Sequence, residues 1–325
     1  MSAEAANART PAGRLAVVFP GQGSQSAGMG RPLLAAWPGA RERLREFSAW
    51  VDHDIEALLC GDEAAADAVS VHLATVAFGL LAWEGLARAG AIDGREQPKL
   101  LAGHSLGEIT ALACSGMLDA EDALRLALAR GRAIARCCAA FPGGMRALIG
   151  APVDEMRAAV ADWIERSGHG DRLWVANVNA PRQLVVAGLD EALAALAPAM
   201  RARGVSVAAL ATAGAFHTPL MNDAAREVAA FAAGLTVRLA RIPLLSSMSG
   251  RVLADTPDLS AHLALQVVSP VRWLAVMRAL QRAGISGLIE AGPPGNVLLQ
   301  LAAACHDWPA TKTPLADCFG GQPPG

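Results

Sequence analysis

The sequence GHSLG places one serine where it could act as a nucleophile. Ser105 lies between Gly103 and Gly107, directly after the apolar run at 100–102 and directly before a helical stretch. This is the GxSxG pattern of a nucleophile elbow, a sharp turn from strand to helix that leaves the serine hydroxyl exposed. The backbone N–H of Leu106 would then face the oxygen of a tetrahedral intermediate. The pattern favours covalent catalysis by Ser105, with an ordinary glycine-flanked turn as the alternative.

Seven histidines could supply the base that a serine hydroxyl needs within hydrogen-bonding distance. Polar or glycine-rich surroundings, or a place near the chain end, predict surface positions for His53, His169, His262 and His306. His104 adjoins Ser105, and we expect the two side chains to diverge on a sharp turn. His72 lies in an apolar stretch, which favours a position in the core or in a cleft.

His217 has the context that best suits a base. In ATAGAFHTPLM it follows a predicted strand and a glycine turn and precedes a predicted helix. Such a position at a sheet edge lets a side chain reach over a cleft. A histidine in a loop of this kind can equally have no function, so the pattern alone leaves both interpretations open.

Arg130 is the arginine whose helical neighbours are apolar. In EDALRLALARGRAIARCC the positions three and four residues away from it are aliphatic, whereas Arg125 faces Glu121 and Asp122. A buried guanidinium needs a partner, and it can bind a carboxylate through two parallel hydrogen bonds. The pattern fits either a carboxylate-binding residue or a helix arginine that extends its charge to solvent.

Strands alternate with helices along most of the chain, which predicts a parallel sheet covered by helices. A strand at 15–19 stops at Pro20, helical patterns follow at 41–47, 54–59 and 66–89, and further helices start at 108 and 120. Between 143 and 210 the order becomes strand, helix, strand, strand, helix, strand, which is typical of a ferredoxin-like unit. We then expect a helix, a strand in IPLLSSMSG, another helix, and a last strand-turn-helix in GLIEAGPPGNVLLQLA.

These patterns predict an α/β protein of two subdomains. The large subdomain would comprise residues 14–142 and 211–318, and the small ferredoxin-like subdomain would be inserted as residues 143–210. Residues 1–13 are expected to be a disordered tail, and residues 319–325 a loose one.

Three motifs taken together, FPGQGSQ, GHSLGE and GAFH, resemble the malonyl-CoA:acyl-carrier-protein transacylase family, which includes acyltransferases of fatty-acid and polyketide synthesis. In the first motif a glycine-rich turn follows a strand, so its backbone amides can face a ligand. The resemblance covers about residues 15–303. It implies an α/β-hydrolase-like large subdomain with a parallel sheet and an inserted ferredoxin-like small subdomain. The segment VANVNAPRQLVVAG also matches and would line the cleft between them.

The resemblance implies a Ser–His dyad whose ring is oriented by a backbone carbonyl in place of an acid. The implied groups are the side chains of Ser105 and His217, the oxyanion-hole amides of Gln22 and Leu106, and the carbonyl of Gln266 in QVVSPVRW. Asp223, six residues after the histidine, is an alternative orienting group.

By the same resemblance, Arg130 would bind the free carboxylate of a malonyl group. GAFH accompanies malonyl units in related polyketide acyltransferases, and Phe216 would crowd an α-methyl group, although methyl-sized discrimination is worth only about 1 to 3 kcal/mol. Three departures from the family pattern leave the acyl unit open: aliphatic Ile134 and Ala135, His72 in place of a glutamine, and EAGPPG in place of EVGPG. Ile134 and His72 are therefore further candidates for the acyl pocket.

The implied activity is that of an [acyl-carrier-protein] S-malonyltransferase, with malonyl-CoA and a phosphopantetheinylated acyl carrier protein as partners and a seryl ester between the two half-reactions. The coenzyme A thioester is a substrate, and neither a cofactor nor a metal is expected. The alternatives are an acyl hydrolase acting on carrier proteins, a transferase for another acyl unit or between two carrier proteins, a malonate decarboxylase loading subunit, and a docking protein without catalysis. Fatty-acid and polyketide pathways both stay open.

Composition favours small-molecule chemistry. The 325 residues carry a formal net charge of -2, which gives no electrostatic reason to bind nucleic acid or an anionic membrane. No uninterrupted apolar stretch reaches the roughly 20 residues that span a bilayer, and the first residues lack a signal-peptide pattern. The six cysteines form no CxxC pair, so we expect buried, reduced thiols. We expect a cytoplasmic monomer.

Overall fold

A five-stranded parallel sheet forms the centre of the larger part of the protein. A computed structural model describes residues 14–92, 97–212, 214–253, 258–305, 308 and 310–319. The strands of this sheet are β1 (Leu15–Phe19), β2 (Leu100–Gly103), β7 (Leu244–Leu245), β8 (Gly287–Glu290) and β9 (Thr311–Pro314). Their order is β7-β2-β1-β8-β9, and every neighbouring pair is parallel. The carboxyl ends of β1 and β2 therefore lie side by side, with Phe19 opposite Gly103.

The helices of this larger part cover both faces of the sheet. They are α1 (Arg31–Ala36), α2 (Ala40–Val51), α3 (Ile55–Cys60), α4 (Ala68–Arg88), α5 (Gly107–Ser115), α6 (Ala120–Ala140), α9 (Asn222–Ala232), α10 (Leu259–Val268), α11 (Trp273–Arg282) and α12 (Val297–Ala303). Strand β1 is buried on both sides, as is usual in parallel sheets. Val17 and Phe19 enter one hydrophobic core, and Ala16 and Val18 enter another.

Residues 143–209 build a separate antiparallel sheet. Its elements are β3 (Gly143–Ile149), α7 (Val153–Ser167), β4 (Leu173–Ala180), β5 (Gln183–Leu189), α8 (Asp190–Arg201) and β6 (Ser206–Ala209). The strand order β4-β5-β3-β6 and the βαββαβ succession confirm the predicted ferredoxin-like fold. This sheet has its own core, which includes Leu148, Leu184 and Val186.

The structure corrects three expectations about the C-terminal half. Two helices, α10 and α11, occupy the region where the sequence predicted one. Strand β9 was not predicted, because four residues with Lys312 among them carry no clear alternation. Phe319 was expected in a loose tail, but it ends a 3-10 helix at Leu315–Phe319 and packs on the core beside Gly85. Residues 1–13 and 320–325 lie outside the described residues, and the exact subdomain limits stay predictions.

Helix α4 is long and apolar enough, by length and composition, to cross a membrane. In this fold, 78% of its most apolar 18-residue window is buried inside the protein. Its apolar surface is therefore used in the core, where it packs against α6. This packing brings the two helices that carry His72 and Arg130 together.

Candidate active site

The turn around Ser105 has the geometry of a nucleophile elbow. Ser105 has a φ of 50°, in the left-handed region that non-glycine residues seldom adopt. A Cβ on Gly103 would lie 2.1 Å from the carbonyl carbon of Gly107, and a Cβ on Gly107 would lie 2.1 Å from the carbonyl oxygen of Phe19. Both flanking positions therefore require glycine, because β1, β2 and α5 meet there without room for a side chain.

The FPGQGSQ turn lies directly against this elbow. A Cβ on Gly21 would be 2.4 Å from the carbonyl oxygen of His104 and 3.5 Å from the amide nitrogen of Leu106. The absence of a side chain at Gly21 thus lets the backbone before Gln22 approach the backbone after the serine. The parallel pairing of β1 with β2 fixes this approach.

The amides of Leu106 and Gln22 are suited to bind an oxyanion. Leu106 is the residue that precedes helix α5, and the first N–H groups of a helix have no intrahelical acceptor. Among the described residues, neither the Leu106 nor the Gln22 amide donates to a backbone or side-chain acceptor, whereas the next amide, that of Gly23, bonds to Gln25 Oε1 at 2.7 Å. Two unpaired amides therefore lie on adjacent turns beside Ser105.

Ser105 and His217, 112 residues apart in sequence, form a hydrogen bond of 2.7 Å between Oγ and Nε2. Nδ1 of the same ring lies 3.1 Å from the Gln266 carbonyl oxygen and 3.0 Å from that of Ser269. A carbonyl can only accept, so Nδ1 carries the proton and the lone pair of Nε2 faces the serine. The ring is thus oriented for removing the proton from Oγ.

The loop that carries His217 is itself held in an unusual conformation. His217 has a φ of 61°, and the Thr218 hydroxyl donates to the Ala215 carbonyl at 2.7 Å. Asp223, the alternative orienting acid, has a side chain that is 66% exposed and pairs with Arg226. The groups that contact Nδ1 are therefore carbonyls, and Asp223 is not among them.

Burial is the largest of the effects that together lower the pKa of His217 to about 3, followed by the positive charge of Arg130 and the neighbouring His104. The two carbonyl contacts act in the opposite direction. His217 is consequently neutral at physiological pH, which is the form that can accept a proton from Ser105.

Arg130 and His72 form a buried pair. Arg130 Nη1 lies 2.7 Å from His72 Nε2, and His72 Nδ1 lies 2.6 Å from the Ala68 carbonyl. His72 must therefore be protonated at Nδ1 and accept at Nε2, in accord with its pKa, which burial and then the charge of Arg130 hold well below the ordinary value. Gly131 permits the close approach, since a Cβ there would be 3.0 Å from Val69 Cα.

The guanidinium of Arg130 still has unused hydrogen-bonding capacity. The residue is 5% exposed, and its Nε has no hydrogen-bond partner among the residues that the structure describes. Burial lowers its pKa to about 10, partly offset by the negative charge of Glu108, so it stays charged at neutral pH. A buried cation with a free N–H is suited to bind an anionic group.

Phe216 and Ile134 both lie inside the protein. Phe216 is 9% exposed and directly precedes the histidine, and Ile134 is 2% exposed, one helical turn beyond Arg130 on α6. They belong to the same hydrophobic core. Their placement is compatible with an acyl pocket, and their contact with an acyl group stays a prediction.

A cleft of about 550 Å³ lies between the two sheets and reaches the elbow at His104. Gln22 and Ser24 line it from the large sheet, and Asn177 and Gln183 line it from the small one. The segment VANVNAPRQLVVAG thus lies where the sequence predicted. Ser105, which is half-buried, adjoins this cleft through His104, while His72, Arg130 and His217 lie deeper in the protein.

The remaining histidines divide into predicted and unpredicted cases. His104 Nε2 bonds to Asn179 Oδ1 at 3.0 Å, so its ring points away from Ser105 Oγ as expected. His53 and His169 are half-buried, and His306 lies outside the described residues. His262 was predicted at the surface, and this was wrong: it is 8% exposed and bonds to Glu108 Oε1 at 2.5 Å.

Two further features of the site were not predicted. Glu108 is completely buried, and Gln266 donates from its side chain to the Ser105 carbonyl at 2.7 Å. The glutamate in GHSLGE was available as a signal, because a charged residue so close to a nucleophile elbow needs a buried partner. Its partner, 154 residues away, could not be identified from spacing.

The chain is similar to known acyltransferases. Residues 16–311 match the acyl transferase domain family. The chain is 34% identical over 295 residues to a malonyl CoA-acyl carrier protein transacylase of Salmonella typhimurium, which covers 90% of this chain and 93% of the relative.

Solved structures show the same fold. An acyl-carrier-protein S-malonyltransferase of Burkholderia pseudomallei superimposes with a TM-score of 0.84 at 30% identity, covering 94% of this chain and 98% of that one. A type II PKS acyl-carrier protein in complex with its malonyl-transacylase provides a second comparison, with a TM-score of 0.84, 27% identity and coverage of 94% and 97%.

Proposed function

This chain belongs to the acyl transferase domain family, and from that premise we propose that it transfers a malonyl group from coenzyme A to the phosphopantetheine thiol of an acyl carrier protein. The observation that carries the proposal is the 2.7 Å contact between Ser105 Oγ and His217 Nε2, together with the buried Arg130 on α6. The names of the relatives from Salmonella typhimurium and Burkholderia pseudomallei support malonyl transfer to an acyl carrier protein.

In the first half-reaction His217 Nε2 accepts the proton of Ser105 Oγ, and Oγ attacks the thioester carbonyl of malonyl-CoA. The amides of Gln22 and Leu106 donate to the oxyanion that forms. When the intermediate collapses, the C–S bond breaks, the ring returns its proton to the coenzyme A thiolate, and malonyl stays on Ser105 as an ester. The carrier protein's thiol then reverses these steps with the pantetheine sulfur as nucleophile.

Arg130 supplies the selectivity in this proposal. The malonyl carboxylate would accept hydrogen bonds from the guanidinium. Among the described residues, the guanidinium bonds to His72 through Nη1, and its Nε has no partner. Phe216 and Ile134 would bound the acyl group, and Phe216 would crowd an α-methyl substituent. The reaction uses coenzyme A as part of a substrate and needs no separate cofactor or metal. We propose that it takes place in the cytoplasm, on a monomer that binds neither nucleic acid nor membrane.

Intact-mass measurement tests the proposal. The protein is mixed with malonyl-, methylmalonyl- or acetyl-CoA in the absence of carrier protein. We expect a persistent malonyl ester on Ser105, less methylmalonyl, and little acetyl. In the Arg130→Ala variant, malonyl loading should fall more than loading of the other acyl groups. Steady release of free malonate without an acceptor would identify a hydrolase instead, and retained malonyl preference in Arg130→Ala would refute the role of the arginine.

A further inference from the structure

Helix α10 contributes three groups to the environment of the dyad. The Gln266 carbonyl lies 3.1 Å from His217 Nδ1, and the Ser269 carbonyl, immediately after the helix, lies 3.0 Å from the same atom. The Gln266 side chain donates to the Ser105 carbonyl at 2.7 Å. The position of α10 relative to the elbow therefore determines how the histidine ring faces the serine.

One turn earlier on α10, a second contact joins the same two elements. His262 and Gln266 are four residues apart, so they lie on the same face of the helix. His262 Nε2 lies 2.5 Å from Oε1 of Glu108, which is in the first turn of α5 and three residues after Ser105. The other carboxylate oxygen, Oε2, accepts the Ser247 amide at 2.7 Å.

We propose that the buried Glu108–His262 pair is a positioning device for the proposed seryl chemistry. It fixes the helix that begins at the nucleophile against the helix whose carbonyls orient His217. Because Glu108 is 0% and His262 8% exposed, the contact is shielded from water, and loss of His262 would leave a buried carboxylate oxygen without its side-chain partner. The helices would then have to shift, and a small displacement at Oγ is enough to slow proton transfer.

Both side chains of the pair bond to other groups of the protein. Glu108 bonds to His262 and Ser247, and His262 bonds to Glu108. The pair also affects the anion-binding end, since the charge of Glu108 raises the pKa of Arg130 against the effect of burial. A defect in the pair should therefore appear mainly in the rate of serine attack, with a smaller effect on malonyl affinity.

The test measures the reactivity of Ser105 with a probe that has no malonyl group. A fluorophosphonate is added to the full-length protein and to the His262→Leu, His262→Gln and Glu108→Gln variants, and labelling of Ser105 is followed by mass. We expect His262→Leu to be labelled about 10- to 100-fold more slowly, with KM for malonyl-CoA changed by less than about threefold. Glutamine can place an N–H near the position of Nε2, so His262→Gln should recover most of the rate.

Two controls separate positioning from general stability. His169→Leu removes a half-buried histidine in the small subdomain and should be labelled at the wild-type rate. Rates are normalised to the folded fraction measured by circular dichroism. In the double variant Glu108→Gln/His262→Leu, labelling should be no slower than in the slower single variant, because both changes disrupt the same contact.

Wild-type labelling of folded His262→Leu would overturn the proposal, and so would a His262→Gln variant that is as slow as His262→Leu. The proposed malonyl function fails separately: a protein that is labelled in a His262-dependent way but forms no malonyl ester has the positioning pair and a different substrate.

Discussion

The proposed reacting end and the proposed anion-binding end of the site are built differently. Ser105 and His217 occupy left-handed backbone conformations, and the ring of His217 is held by two backbone carbonyls. Arg130 and His72 lie within regular helices, where their side chains bond to each other and His72 also bonds to the Ala68 carbonyl of its own helix. The first arrangement depends on where the chain turns, and the second depends on which residues occupy two helix faces.

This difference predicts which positions of the site tolerate substitution. A substitution at His72 or Ile134 should leave the helices intact and alter the predicted acyl pocket. A substitution at Gly103 or Gly107 introduces a Cβ into backbone atoms 2.1 Å away. We therefore expect the acyl preference to be adjustable by single substitutions, while the dyad tolerates few changes around it.

The largest expected effect is that of Ser105→Ala. Without the nucleophile no ester can form, and transfer should fall by about 10⁴- to 10⁶-fold, as when one member of a catalytic group that acts as a unit is removed. The backbone strain stays, so stability should be nearly unchanged. Carrier-protein acylation followed by mass spectrometry measures the first effect, and thermal unfolding measures the second. Residual ester at the wild-type rate would show that another residue is the nucleophile.

Arg130→Leu should follow, and it tests the anion-binding end. Loss of a charged partner for a buried carboxylate costs about 2 to 5 kcal/mol, so malonyl loading should fall far more than acetyl loading. The pKa of His217, now lowered partly by the charge of Arg130, should rise toward its ordinary value. A base with a higher pKa is protonated at higher pH, so the acidic limb of the acetyl-loading rate should move upward. An unchanged limb would contradict the electrostatic link.

Gly107→Ala tests the reacting end through stability. Its Cβ would overlap the carbonyl oxygens of Phe19 and Pro20, and we expect a loss of about 2 to 4 kcal/mol in the free energy of unfolding. The matched control is Gly170→Ala, where the nearest neighbour of the added Cβ is an Ile164 methyl at 3.8 Å. Urea unfolding of both variants provides the comparison, and equal midpoints would refute the close-packing argument.

Substitution of His72 should have the smallest effect. His72→Gln keeps an acceptor for Arg130, so malonyl loading should change by less than about fivefold. His72→Leu removes the acceptor from a buried cation and should cost about 1 to 3 kcal/mol in malonyl binding. The KM values for malonyl-CoA of the two variants decide the matter. Equal values would mean that the contact does not hold Arg130.

Local patterns were sufficient for much of the fold. Strand β1 was predicted with its observed limits, and the ferredoxin-like order was read from periodicity between 143 and 210. Strand β9 was missed because its four residues form a strand through pairing with β8, and pairing between distant segments leaves little local signal. The break between α10 and α11 was missed for a similar reason, since Val271 there bonds to β4 of the small sheet.

The site shows the same limit. Ser105 could be proposed from a five-residue pattern, because an elbow is a local structure. Among the seven histidines His217 had the most suitable surroundings, but only the resemblance to a family distinguished it from a loop histidine without function. The sequence around His262 gave a surface position, since burial of that ring depends on Glu108, on a helix 154 residues away.

The carbonyls that hold His217 have a consequence for the leaving group. A carboxylate beside an imidazole stabilises the imidazolium strongly. Neutral carbonyls stabilise it less, so the protonated form of His217 should be short-lived. An amine cannot depart without a proton, whereas a thiolate can, because thiols ionise near a pKa of about 8.5. A ring held by dipoles is therefore matched to exchange between two sulfur atoms, in which the only strongly basic leaving atom is Ser105 Oγ, 2.7 Å from the ring nitrogen that returns its proton.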